Sequence, residues 1–133
     1  MQIAILYIST AVIFLAADAV MLKLVMKPLF EKHLGDAVLD SPRMGAAVIF
    51  YLFYVGGVLW LASWPALRDG IPGQALLNGA LLGAVAYGTY EFTSYAVMRD
   101  WSLQQVIVDG LWGTILTGGA AWAGVMITRA VTA

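Results

Sequence analysis

Cysteine is absent from the chain, which excludes disulfide bonds, thiolate metal sites and cysteine nucleophiles. Charged residues are scarce at 11%, against about 25% in soluble domains. The formal net charge of −1 supplies no basic surface for nucleic acid. The sequence also lacks a nucleotide-binding glycine loop, a serine nucleophile elbow and a zinc signature. What remains is a chain dominated by apolar residues.

Hydrophobic residues make up 62% of the 133 residues, more than a soluble domain of this size can bury, because its surface is large relative to its volume. Four apolar stretches reach the roughly 20 residues that a membrane-spanning helix needs. We therefore predict an all-α membrane protein, a bundle of four transmembrane helices joined by short loops in one domain. The first stretch lacks the basic start of a signal peptide and is interpreted as a retained span. The predicted spans cover about residues 2–26, 44–62, 74–98 and 103–127.

The connections give an order and an orientation. Pro65 is predicted to end the second span, because proline cannot continue a regular helix. The turn of residues 99–101 is the shortest connection, so the third and fourth spans should be antiparallel neighbours. Lysine and arginine are more frequent near loops one and three, which favours these loops in the cytoplasm and both termini outside.

Small residues predict where helices approach each other closely. Gly79 and Gly83 form a GxxxG pair on the third span, and Gly113 and Thr117 continue as a small-residue stripe on the fourth. Such stripes let helix backbones touch in lipid, where no hydrophobic drive brings helices together. The alternative is that glycine is simply frequent in membrane helices.

Three carboxylates, Asp18, Glu91 and Asp109, fall inside the predicted spans. An ionised carboxylate in a span costs about 2.5–3.5 kcal/mol on insertion scales, so each needs a partner, a proton or water. Each acid lies eight or nine residues from the end of its span on the side of loops one and three. At the rise of an α-helix, this places all three roughly 12–14 Å from that side. Tyr51 reaches the same depth on the second span. We therefore predict one polar layer, although each acid could instead be structural glue between helices.

Helical spacing adds companions to these acids, because residues three and four apart share a helix face. Tyrosine hydroxyls can donate to a buried carboxylate, and aromatic faces can receive a cation. The sequence predicts no catalytic residue, and the lone His33 does not indicate a metal site or a cofactor. The candidate ligand- or proton-binding residues are Asp18, Tyr51, Tyr54, Tyr87, Glu91, Ser94, Tyr95, Asp109 and Trp112.

Four segments resemble the DUF2177 family, small predicted membrane proteins of bacteria. They are FLAADAVMLKLVMKPLF, FYLFYVGG, AYGTYEFTSYAVMRDWSL and VIVDGLWGTILT, and together they extend along nearly the whole chain. The family pattern more often has Asp at the position of Glu91 and Asn at Ser94, so a bridging role for Ser94 is not implied. The resemblance implies the four-helix architecture and a bacterial inner-membrane location. It implies no activity.

Three functional hypotheses follow. The first is a proton-linked carrier or binding protein for a small cationic or hydrogen-bonding ligand, with Glu91 as the coupling acid. A homodimer would complete its walls, with the Gly79–Gly83 stripe as a candidate seam. The second is a non-catalytic accessory subunit or assembly factor of a larger membrane complex. The third, an intramembrane lipid or isoprenoid enzyme, lacks a metal pair or nucleophile constellation, so the sequence favours a non-enzymatic role.

Overall fold

The computed structural model describes residues 1–37 and 43–132, and their backbone forms four long helical segments. The first comprises α1 (Gln2–Met21), a π-helical turn (Leu22–Met26), α2 (Lys27–Leu34) and a 3₁₀ turn (Gly35–Ala37). The second comprises α3 (Met44–Val58), a second π-helical turn (Leu59–Ser63) and α4 (Trp64–Asp69). The third and fourth are the single helices α5 (Pro72–Val97) and α6 (Leu103–Thr132). The all-α, four-helix prediction is confirmed.

Length and composition distinguish these segments. Gln2–Leu34, Gly45–Asp69 and Leu103–Thr132 are long and apolar enough to cross a membrane. Helix α5 has 26 residues, more than the roughly 20 that a span needs, but it is less apolar because it carries Gln74, Asn78 and Glu91. Three of the four helices therefore combine the length and the apolarity of a membrane span.

Proline does not end the first two segments. The prediction that Pro65 ends the second helix is wrong, because this segment continues to Asp69. The first segment likewise continues past Pro28 to Leu34, through part of the predicted first loop. A π-helical turn precedes each proline, and its wider hydrogen-bond pattern accommodates a ring that lacks an N–H and crowds the preceding turn. Residues 38–42 of the predicted loop lie outside the described residues.

Helix α6 is the centre of the bundle. It packs most extensively on α5 and next on α1, and it contributes buried residues from Gln105 to Thr128. The second segment contacts α5 mainly through its π-helical turn, Leu59–Ser63, and through α4. The hydrophobic core runs between these elements and includes Leu6, Phe14, Val55, Val58, Leu116 and Val125.

Small residues account for the close contact of α5 with α6. A Cβ added at Gly79 would stand 3.0 Å from the Ala121 Cβ, and one at Gly83 would overlap the Gly113 carbonyl. Gly113 in turn leaves room for the ring of Tyr87. Residue numbers rise on one helix as they fall on the other, so α5 and α6 are antiparallel neighbours, as predicted. The glycine stripe considered as a dimer seam is therefore used within the chain.

Candidate functional site

A half-open cavity of about 320 Å³ lies between α3 and α5. The second segment contacts α5 beyond this level, at the π-helical turn, which leaves the space between α3 and α5 open. Most of the lining is aromatic. The residues of this aromatic cleft are Ala47, Phe50, Tyr51, Tyr54, Ala86, Tyr87 and Tyr90.

Helical spacing places the lining residues of each helix on one face, so α3 and α5 each form one wall of the cleft. Ala47, Tyr51 and Tyr54 recur at intervals of four and three residues on α3, and Tyr87 and Tyr90 stand three apart on α5. The Tyr54 and Tyr87 rings meet across the cleft, with 6.3 Å between their centroids in a T-shaped arrangement. Alanine among these large rings leaves the space that the cavity occupies.

Asp18 lies beside the cleft and interacts with side chains from three other helices. The Nε1–H of Trp112, on α6, donates a hydrogen bond of 2.9 Å to the Asp18 Oδ1. The Tyr51 hydroxyl, on α3, lies close enough to the same carboxylate to donate a hydrogen bond to it. Tyr87, on α5, also interacts electrostatically with Asp18. The carboxylate is 9% exposed, so these protein groups replace most of its water.

Asp109 is the second acid of this group. It is 4% exposed and interacts electrostatically with Asp18, and also with Tyr51 and Tyr87. Its Oδ2 is buried and has no hydrogen-bond partner among the residues that the structure describes, and the same holds for the hydroxyl of Tyr87. Within residues 1–37 and 43–132 neither aspartate forms an ion pair with a basic side chain. The aspartate pair (Asp18 and Asp109) therefore combines buried acidity with unused hydrogen-bonding capacity.

Glu91 belongs to a different group. Its side chain is fully buried, and its Oε1 accepts a hydrogen bond of 2.8 Å from the Nε1–H of Trp101. The Trp101 ring packs against Phe30, from α2, with 5.5 Å between centroids, and against Tyr90 at 6.4 Å. The second carboxylate oxygen, Oε2, has no partner in the described part of the chain. Glu91 thus fastens the turn after α5 and does not join the aspartate pair.

The predicted site residues consequently divide into two sets. The structure brings Asp18, Tyr51, Tyr87, Asp109 and Trp112 together, with Tyr54 beside them through its 3.0 Å hydrogen bond to Thr117. Trp112 is bonded to Asp18, although its spacing had suggested Asp109. Glu91, Ser94 and Tyr95 lie apart from this set.

Ser94 and Tyr95 do not surround Glu91 as expected. Ser94 is half-buried and Tyr95 is 45% exposed, and among the described residues neither is hydrogen-bonded to Glu91. Their shared helix face was inferred from spacing alone, but the short turn after α5 brings Trp101 onto the carboxylate first. Spacing on one helix does not reveal a donor supplied by the following turn.

The sequence does not predict a site role for three residues that bind Glu91 or line the cleft. Trp101 is not among the residues that the sequence predicts for the site, and the only signal of its bond to Glu91 is its position just across the short turn. Phe50 and Tyr90 line the cleft and were not selected, although Phe50 precedes Tyr51 and Tyr90 follows Tyr87 by one turn. An aromatic ring in an apolar span carries no local signal that it borders a cavity.

Electrostatics define what the site can hold. Aromatic rings, tyrosine hydroxyls and two alanines line the cavity, and the aspartate pair lies next to Tyr51 and Tyr87. None of the described lining residues is basic. Aromatic faces and carboxylates both attract cations, and tyrosine hydroxyls donate and accept hydrogen bonds. Within the described residues, no group of three or more histidine, aspartate or glutamate side chains is arranged to hold a metal ion. The sole histidine, His33, instead lies 3.4 Å from the Gln104 Oε1.

Comparison with known proteins adds one finding. A family model described as a predicted membrane protein, DUF2177, matches residues 3–126, nearly the whole chain. No curated protein and no solved structure matches the sequence.

Proposed function

The chain belongs to the DUF2177 family of predicted membrane proteins, and from this premise we propose that it binds a small molecule in the aromatic cleft and carries it in a proton-linked manner. The ligand is cationic or hydrogen-bonding, and the membrane is the bacterial inner membrane. The observation that supports this proposal is the aspartate pair beside a half-open cavity, where the Asp109 Oδ2 and the Tyr87 hydroxyl have no partner within residues 1–37 and 43–132.

Unused polar atoms that cluster beside a cleft support a binding role. Buried polar groups in native proteins nearly always have hydrogen-bond partners, and an unpaired one costs about 1–3 kcal/mol. A single unpaired oxygen does not decide the role, because the Glu91 Oε2 is also unpaired among the described residues. Asp109 and Tyr87 differ from Glu91 because each has an unpaired oxygen, they interact with each other, and Tyr87 lines the cavity. A ligand that reached them with donors or positive charge would satisfy both.

Proton linkage rests on the proximity of Asp18 to Asp109. Two carboxylates in one low-dielectric site repel each other when both are ionised, so a proton or a cation lowers the energy of the pair. The described groups that face the pair are Tyr51 and Tyr54 on α3, Tyr87 on α5 and Trp112 on α6, and all are uncharged at neutral pH. Binding of a cation would then release the proton. We assign the coupling role to this pair and a structural role to Glu91.

Assembly and orientation follow as parts of the proposal. Four helices provide little wall for a closed pathway, so transport would involve a homodimer. The Gly79–Gly83 stripe already packs on α6, and a dimer would therefore use another surface. Loops one and three face the cytoplasm, in keeping with the distribution of lysine and arginine.

Titration of the purified protein tests this function. The chain in dodecyl maltoside micelles is mixed with small organic cations and with neutral hydrogen-bonding compounds, while the indole N–H resonances of Trp112 and Trp101 are recorded. We expect at least one compound to shift the Trp112 resonance and to change the number of protons released. The variant carrying Asp18→Asn and Asp109→Asn should lose both responses, whereas Glu31→Gln, on an exposed side chain, should keep them.

Two outcomes would contradict the proposal. Either no compound moves the Trp112 resonance, or the double asparagine variant binds as the unaltered protein does.

The accessory-subunit alternative has its own support in the same unpaired oxygens, because a partner's lysine or arginine could satisfy them. It predicts that the acids are needed for co-purification with a second chain at fixed stoichiometry, and stable isolation of the chain alone would count against it.

A further inference from the structure

The mouth of the aromatic cleft opens on the side of the bundle. Phe50 and Tyr90 are 61% and 42% exposed, and both line the cavity. They lie six and seven residues from Met44 and Val97, the nearest ends of α3 and α5. Helix rise places them about 10 Å inside those ends. In a membrane, this opening faces lipid near the boundary between headgroups and acyl chains.

The interior of the cleft and its mouth differ in chemistry. Towards the interior, the Tyr51 hydroxyl meets the Asp18 carboxylate, and the hydroxyl of Tyr87 is unpaired. At the mouth, the exposed surface consists of the rings of Phe50 and Tyr90. A ligand that matches both ends therefore has a positively charged head and an apolar body.

The size of the cavity adds a second constraint. A volume of about 320 Å³ is at the lower end of the roughly 300–1,000 Å³ of small-molecule sites. It accommodates an ammonium head and a short part of a chain, and the remainder of a longer molecule would extend through the mouth into lipid. Aromatic faces attract cations within about 6 Å of a ring centre, which the rings of Tyr51, Tyr54 and Tyr87 provide.

From these observations we propose that the ligand is an amphipathic ammonium compound that enters sideways from the lipid, with its head among the rings of Tyr51, Tyr54 and Tyr87, next to the aspartate pair, and its chain between Phe50 and Tyr90. This assignment rests on the proposed function and narrows its ligand class. The same head chemistry occurs in free long-chain amines and in phospholipid headgroups. Neutral sugars and anions lack the charge that the aspartate pair requires.

A series of amphiphiles with one chain length tests the assignment. Octyltrimethylammonium, octylphosphocholine, octyl glucoside and octyl sulfate are titrated into the protein in dodecyl maltoside micelles, together with tetramethylammonium, which has no chain. The Trp112 indole resonance reports binding. We expect octyltrimethylammonium to bind at least tenfold more tightly than octyl glucoside, octyl sulfate and tetramethylammonium. If octylphosphocholine binds equally well, the ammonium class stands and a phospholipid head is its source.

Variants connect binding to the cleft. Asp18→Asn combined with Asp109→Asn should weaken octyltrimethylammonium at least tenfold, and Tyr87→Leu should weaken it severalfold. Tyr7→Phe is the matched control, because the Tyr7 hydroxyl bonds the Leu52 carbonyl and does not line the cavity. Helical circular dichroism and an unfolding midpoint like that of the unaltered protein verify that each variant is folded, so loss of binding is not loss of structure.

The results separate the two proposals. If octyl glucoside binds as tightly as octyltrimethylammonium and its binding depends on the cleft residues, the ammonium assignment is overturned and the proposed binding function stands. If tetramethylammonium binds as tightly as the octyl compound, entry of a chain from lipid is overturned. If no probe distinguishes the unaltered protein from the cleft variants, both proposals fail.

Discussion

Two buried carboxylates in this protein each accept a hydrogen bond from a tryptophan N–H, yet they have different surroundings. Asp18 and Trp112 are 94 residues apart in sequence and join α1 to α6. Glu91 and Trp101 are 10 residues apart and join the end of α5 to the turn that follows it. The first pair lies beside a second acid and an open cleft, whereas the Trp101 ring of the second pair packs on Phe30 and Tyr90.

The difference indicates which acid is available to a ligand. The Glu91 bond joins groups only 10 residues apart, so it depends mainly on the turn, with the Phe30 ring of α2 packed on Trp101. The Asp18 bond requires α1 and α6 to be assembled, so its geometry depends on every helix that packs there. Groups held in this way can respond to a ligand between the helices. The Trp112 resonance therefore reports on the interior of the cleft, and the Trp101 resonance reports on the turn and, through Tyr90, on the mouth of the cleft.

The largest effect is expected from Gly83→Ala. This change should disturb the helix packing on which the Asp18–Trp112 bond depends and leave the Glu91–Trp101 turn intact. The added Cβ would overlap the Gly113 carbonyl, and backbone cannot move aside as a flexible side chain can. We expect a loss of about 3 kcal/mol in the free energy of unfolding. The Trp112 resonance should shift and the Trp101 resonance should not. Gly88→Ala is the control, since its Cβ meets nothing within 4 Å, and an equal loss there would contradict the packing argument.

A smaller loss is expected from Trp112→Phe, which tests the long-range bond itself. The substitution removes the donor to Asp18 and leaves a buried carboxylate oxygen without that partner, which costs about 2 kcal/mol. Chemical unfolding in mixed micelles measures the change. Trp122→Phe on the same helix, at an exposed position, should cost less than about 0.5 kcal/mol. Equal costs for the two variants would show that ring volume, and not the hydrogen bond, determines the stability.

Tyr54→Phe tests whether the hydrogen-bonded region around Asp18 and Trp112 extends to Tyr54. It removes one hydrogen bond between neutral groups, to the Thr117 hydroxyl, and should lower the free energy of unfolding by about 1 kcal/mol. The matched variant Tyr95→Phe, on an exposed ring, should have almost no effect. If the two variants are equally stable, the Tyr54 bond does not contribute and the region ends at Tyr51.

The smallest effect is expected from Glu91→Gln. The amide keeps an oxygen that can accept the Trp101 N–H, so stability should change by less than about 1 kcal/mol. Binding of octyltrimethylammonium in the cleft should stay within twofold, because Glu91 does not belong to the aspartate pair. Loss of proton release in this variant would return the coupling role to Glu91 and invalidate the distinction between the two regions.

Much of the fold was predictable from the sequence, because apolar length and helix propensity are local properties. The four helices and the antiparallel pairing of α5 with α6 follow from long apolar stretches and one short turn. The prediction failed at Pro65, where a π-helical turn, itself a local departure from α geometry, lets the helix continue. A rule about proline in a regular helix does not anticipate such a turn.

The candidate site was predictable only in part. Asp18, Tyr51 and Asp109 were expected at one depth, and depth follows from counting residues along a helix. Rotation about each helix axis is different, because α1 and α3 are apolar on all faces and no polar stripe indicates which face points inward. The sequence therefore does not indicate the hydrogen-bond partner of each acid. It groups Glu91 with Asp18, whereas the donor to Glu91 in the structure is Trp101.

The sequence by itself determined that this protein is a set of apolar helices with a few acids within them, since the length of apolar runs and the cost of charge in lipid depend on composition alone. Only the tertiary structure decided that Asp18 and Asp109 share one site while Glu91 closes a turn. The packing of α6 against α1 and α5 produces this arrangement, because glycines let the helix backbones touch and so set the rotation of each helix about its axis.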